Sequence, residues 1–112
     1  MGTAWIDNNE LAGAVVAGQD AGDLKIARCM AAAAEGDAHA CFDLGVAFST
    51  GSIGVSCDLI EAHKWFNLAA VSGHGPAQMC RADISEEMTA REIAEAQRRA
   101  REWLAMTQRK AA

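Results

Sequence analysis

The strongest constraint on this chain is its punctuation. Glycines at 36, 51 and 73 each stand just after an apolar, alanine-containing run, and a helix-starting signal lies a short way beyond each of them. The run LKIARCMAAAAEG consists of strong helix formers, with Asp23 placed as N-cap and Gly36 just past the last turn. In DAHACFDLGVAFSTG, residues Cys41, Leu44, Gly45 and Phe48 fall at i, i+3, i+4 and i+7 of a second helix that Gly51 closes. GSIGVSC reads as a loop. Asp58 is placed to cap a third helix with the stripe Leu59, Ala62, Trp65 or Phe66, Ala69 and Ala70, ended by Gly73. Pro76 marks the next start, where a missing N–H costs least. The last boundary is the sharpest: Thr89 and Glu92 form a capping box and Met88 with Ile93 a hydrophobic staple. A final helix is therefore expected from Ala90 to about Arg109, with Ile93, Ala96 or Gln97, Ala100, and Trp103 or Leu104 on its inner stripe.

Short helices separated by tight turns are helical hairpins, and the composition agrees. Aromatic residues are scarce, alanine dominates and there is one proline, so an all-α fold packed through small side chains is favoured over a β-sandwich. A length of 112 residues suits one domain. Residues 1–21 read as an N-terminal segment with a short helix in the apolar piece Leu11 to Val16, interrupted by Gly13 and ended by Gly18, and residues 22–112 as the domain proper.

The net charge of −5 is uneven: residues 1–90 carry 4 basic and 12 acidic side chains, residues 91–112 carry 6 and 3. An acidic body opposes nonspecific nucleic-acid binding, which depends on neutralising phosphates. Within the basic last helix, Glu95 precedes Arg99 by four and Arg98 precedes Glu102 by four, the pattern of a solvated, internally paired helix. No run is long enough to span a bilayer, and the N-terminus lacks a basic n-region, so a cytoplasmic location with reduced thiols is the expectation. Cys29, Cys41, Cys57 and Cys80 form no C-x-x-C, and the three histidines no H-x-x-x-H, so neither a metal nor another cofactor is expected. The nucleophile and base pairs nearest in sequence, Ser72 with His74 and Cys57 with His63, lie in no catalytic signature, so no enzyme activity is expected.

A hairpin series invites a search for a period. Setting Trp65 beside Trp103 gives an offset of 38, which also pairs Ala62 with Ala100 and Phe66 with Leu104; setting Cys41 beside Cys80 gives 39, which pairs Ala38 with Ala77. Ala40, Leu44-Gly45, Phe48, Gly51, Gly54-Val55, Asp58, Ala62, Trp65, Ala69-Ala70, Gly73 and Ala77 resemble, in order, the Sel1-like repeat, a relative of the tetratricopeptide repeat. The clear match covers residues 36–77, and residues 78–112 are similar to a degenerate capping copy. An extra residue in TGSIGV departs from the family pattern. The physical reading runs in parallel. Gly45 allows close helix approach, Gly51 and Gly54 permit positive-φ turns, and Trp65 and Phe66 supply most of the apolar area.

The resemblance implies a short α/α superhelix acting as an adaptor or scaffold that binds a protein or peptide partner on one face of its first helices. Carried over by register, that face comprises His39, Phe42, Val46 and Ser49 in one copy and Gln78, Arg81, Ser85 and Met88 in the next, each set stepping by 3, 4 and 3 along one side of a helix. Two alternatives accompany it. A self-associating module without a peptide groove, a homo-oligomer, fits the small number of repeats. Alternatively, Trp5, Ile6 and Leu11 of the N-terminal segment fold over Phe42 and Val46.

Overall fold

The computed structural model describes residues 17–111 as five α-helices, with no strand among the described residues: α1 (Ala17–Ala34), α2 (Ala38–Thr50), α3 (Leu59–Val71), α4 (Gly75–Ser85) and α5 (Ala90–Ala111). The short helix expected within Leu11 to Val16, and the covering residues Trp5, Ile6 and Leu11, lie outside the described residues.

Most boundaries are set by local chemistry. Asp37 accepts hydrogen bonds from the N–H groups of His39 (2.9 Å) and Ala40 (3.2 Å) and so caps α2. Asp58 does the same for α3, accepting from Ile60 and Glu61 at 3.1 Å each. At the start of α5, the Thr89 N–H donates to Glu92 Oε1 (2.8 Å) and the Glu92 N–H to Thr89 Oγ1 (3.1 Å), the reciprocal capping box. Gly51, with φ of 73°, ends α2 in the left-handed conformation while its N–H reaches the Ala47 carbonyl at 2.8 Å. The following loop is tied back by the Asp58 N–H donating to the Phe48 carbonyl at 2.8 Å. In that loop Ile53 also has a positive φ, 45°, an unusual state for a β-branched residue.

One boundary is corrected. Asp23 does not cap α1 and Gly18 does not end a helix, because α1, described from Ala17 onward, runs through both. An aspartate costs only a fraction of a kcal/mol in a helix interior and a glycine about 1, so these residues mark permitted boundaries, not obligatory ones.

α3 is the hub. It packs against α2, α4 and α5, and α1 packs on α2. Trp65 and Phe66 are essentially removed from solvent, together with Ala62, Leu68 and Ala69 of α3, Cys41, Leu44 and Ala47 of α2, Ala77 of α4 and Ala100 of α5. Phe66 packs over Gly45, which presents no side chain: a Cβ there would lie 2.5 Å from Phe66 Cδ1. On the opposite flank Trp103 of α5 meets Trp65 edge to face, centroids 4.8 Å apart, and the Lys64 ammonium sits 4.3 Å from the Trp65 centroid.

α5 makes its main contacts with α3. The reason is visible in the side chains: Ala96 and Ala100 permit close approach, Trp103 finds Trp65, and Arg99 reaches Glu61 of α3 at 2.7 Å. The exposed side of α5 carries the expected pairs, Arg99 to Glu95 at 2.8 Å and Arg98 to Glu102 at 2.8 Å, with a further Arg98 to Glu95 pair at 2.7 Å. Hydrogen bonds from Arg98 and Arg99 hold the Glu95 carboxyl down at about 2.

Candidate partner-binding face

The eight residues expected on the first helices lie on α2, on α4 and in the turn after α4. On α2, His39 and Val46 are exposed, Ser49 is half-buried and turns its hydroxyl back to the Val46 carbonyl at 3.0 Å. On α4, Gln78 is exposed, and Ser85 donates to the Arg81 carbonyl at 2.8 Å. Met88 is half-buried in the turn that follows.

Phe42 is the anchor of this arrangement. It is half-buried, 5.6 Å from the Phe66 ring of α3 and stacked on His74 at 4.4 Å with the planes 20° apart. His39 adds a further ring, 6.5 Å from Phe42 and 5.9 Å from His74. Phe42 was expected to stand clear of the packed stripe; it instead joins the rim of the core, because the turn between α3 and α4 brings His74 over it. His74 was missed as part of this face. It occupies the N-cap of α4 but makes no capping hydrogen bond with its side chain, and its ring is used for stacking instead. A histidine where Ser, Thr, Asp or Asn is favoured was the one available signal in the sequence.

Arg81 behaves differently from the other partly buried cations. Lys64 pairs with Glu61, and Arg99 with Glu61 and Glu95. Arg81, half-buried, makes no ion pair among the described residues; its Nη1 donates to Asn67 Oδ1 of α3 at 2.8 Å. Its charge is felt by His63, a buried α3 residue whose pKa is lowered below 6.5 by burial first and by Arg81 second. His63 Nδ1 has no hydrogen-bond partner. The Phe42 side of α2 also borders a shallow open depression lined by Lys25, Asp43, Val46 and Ile53.

Neither nucleophile and base pair is assembled. The exposed Cys57 thiol contacts the Ser49 carbonyl at 3.5 Å, and no hydrogen bond joins it to His63 or Ser72 to His74. All four cysteines are free thiols, and burial pushes that of Cys41 up to about 11, with Asp37 adding to the rise. Among the described residues no cluster of three or more His, Cys, Asp or Glu side chains could hold a metal ion, and no helix is long and apolar enough to cross a membrane.

No family model, curated protein or solved structure matches the chain. Its functional reading accordingly rests on its own residues and their arrangement.

Proposed function

We propose that this chain is a protein-interaction module, a short α/α superhelix similar to the Sel1-like repeat, which serves as an adaptor or scaffold by holding a protein or peptide partner against α2 and α4. The single observation that carries this reading is the surface joining the two helices: His39 and Phe42 of α2 meet His74 at the cap of α4, and the α4 residues at 74, 78, 81 and 85 step by 4, 3 and 4 along one side of that helix. The equivalent burial of Ala62 with Ala100, and the pairing of Trp65 with Trp103, support the repeat reading at the offset of 38. Partly exposed aromatic rings and an arginine without an ion pair are residue types enriched in protein recognition surfaces.

A photo-crosslinking amino acid placed at position 46 or 78 tests the reading. Both positions are exposed on this face, whereas position 105 is exposed on α5. Capture of the same discrete partner from 46 and 78, and not from 105, is the expected result. Equal capture from all three positions would remove the face from consideration. The second reading, self-association, is favoured by the exposed Val71 and Met79, which are 66% and 71% accessible on α3 and α4. A crosslink joining two copies of the chain would select it.

A further inference from the structure

The partner chemistry can be specified further, on the reading that the α2 and α4 face binds a peptide. We propose that this face takes an extended acidic peptide, with one side-chain carboxylate on Arg81 and an aromatic residue, three positions away, on the Phe42 and His74 rings.

The first argument is the guanidinium. Withdrawing a charge from water is costly unless an opposite charge or a full set of hydrogen bonds replaces the lost hydration. Lys64 and Arg99 obtain carboxylates within this fold, and Arg81 obtains only the neutral Asn67 oxygen. Asn67 engages Nη1, and Ser85 fixes the Arg81 carbonyl from the next turn, so both ends of the residue are held. A guanidinium offers five N–H donors in a planar fork matched to a carboxylate, so one bond to Asn67 leaves most of that capacity unused. The chain itself is strongly acidic outside its last helix, yet no acidic side chain among the described residues pairs with this cation. That contrast selects an incoming anion over an incoming cation.

The second argument is spacing. His74 and Arg81 are seven residues apart on one side of α4, or about 10 Å along a helix rising roughly 1.5 Å per residue. In the polyproline II form of an extended peptide, with three residues per turn and a rise of about 3.1 Å per residue, residues three apart lie on the same side about 9 Å from each other. Between the two anchors lies Gln78, exposed on the same side, whose amide can both donate to and accept from a peptide backbone. At the other anchor the Phe42 and His74 rings, stacked at 4.4 Å with His39 beside them, offer an aromatic surface that is already ordered before binding.

The test uses the full chain and two blocked peptides, acetyl-Gly-Trp-Ala-Ala-Glu-Gly-amide and the same sequence with Gln in place of Glu, so that the only carboxylate is the side chain. Binding is followed by amide chemical-shift changes. The expected result is that the Glu peptide perturbs residues around Phe42, His74 and Arg81, and that the Gln peptide binds about tenfold more weakly, the loss associated with a charge-assisted hydrogen bond. Arg81→Gln should abolish the difference between the peptides and Arg81→Lys should retain part of it, each with a well-dispersed spectrum that reports an intact fold. Equal affinity for the two peptides would overturn the carboxylate inference while leaving a peptide face in place. Failure of both peptides to bind would overturn the inference as well, and the crosslinks from positions 46 and 78 would then decide the broader reading on their own.

Discussion

Gly45 sets how near α2 comes to α3. The ring of Phe66 occupies the space a side chain would need, with Cδ1, Cε1 and Cγ at 2.5, 2.6 and 2.9 Å from the missing Cβ, and Phe66 is only 2% accessible, so the ring cannot move out into solvent. Alanine would gain up to about 1 kcal/mol in helix propensity. Overpacking should outweigh that gain, at about 1–3 kcal/mol, so Gly45→Ala is expected to lower the urea midpoint. A stabilised variant would refute the close approach. His63 gives a second prediction. Its lowered pKa means the folded protein keeps it neutral where the unfolded chain takes up a proton, so its contribution to stability is complete above 6.5 and is lost as pH falls below that value. His63→Leu should therefore flatten the decline of stability between about pH 7 and pH 5, a comparison made by thermal melts across that range. An unchanged decline would assign the acid sensitivity elsewhere. Gly45 was legible in the sequence because its neighbours at i−1 and i+3, Leu44 and Phe48, defined an inner stripe. The role of His74 was not, because its stacking on Phe42 joins residues 32 positions apart and the local sequence marks it only as an unfavoured N-cap residue.

Helix ends were the most readable elements, and the reason is that a cap satisfies its orphan N–H groups with side chains two or three residues away. Asp58, Pro76 and the Thr89 and Glu92 pair all act within one turn of their position in the sequence, as do the positive-φ glycines 36, 51 and 73. Asp23 was misread as a cap for the converse reason: it has the chemistry of one, but nothing local forbids the helix from continuing through it. Which helix α5 would cover was equally hidden, since its stripe of Ala96, Ala100 and Trp103 suits any small-residue face until Trp65 and Glu61 specify α3. Loss of α5 should consequently expose the hub itself. A chain ending after Met88 is expected to lose near-UV circular dichroism and to bind hydrophobic dyes, as an expanded state with loosened tertiary packing does. Sharp near-UV signals and a soluble monomer from that truncation would contradict the hub arrangement.

At the scale of the molecule, α3 combines two tasks. One side of it fills the core between α2 and α5 through Trp65 and Phe66, and Asn67 holds Arg81 where α3 meets α4. The part of the proposed face made by Phe42 is coupled to the core, so a substitution there changes stability along with any binding at the proposed site. Arg81 is the cleaner probe, because its side chain is tied into the fold by the hydrogen bond to Asn67 and by no ion pair among the described residues. The most direct test of the account is Arg81→Glu, assayed in parallel for stability by urea denaturation and for binding to the partner identified by crosslinking. The account predicts a stability loss no larger than about 1.5 kcal/mol, the ordinary range for one hydrogen bond, with partner binding abolished. Undiminished binding, or a binding loss that merely follows the fraction unfolded, would contradict it.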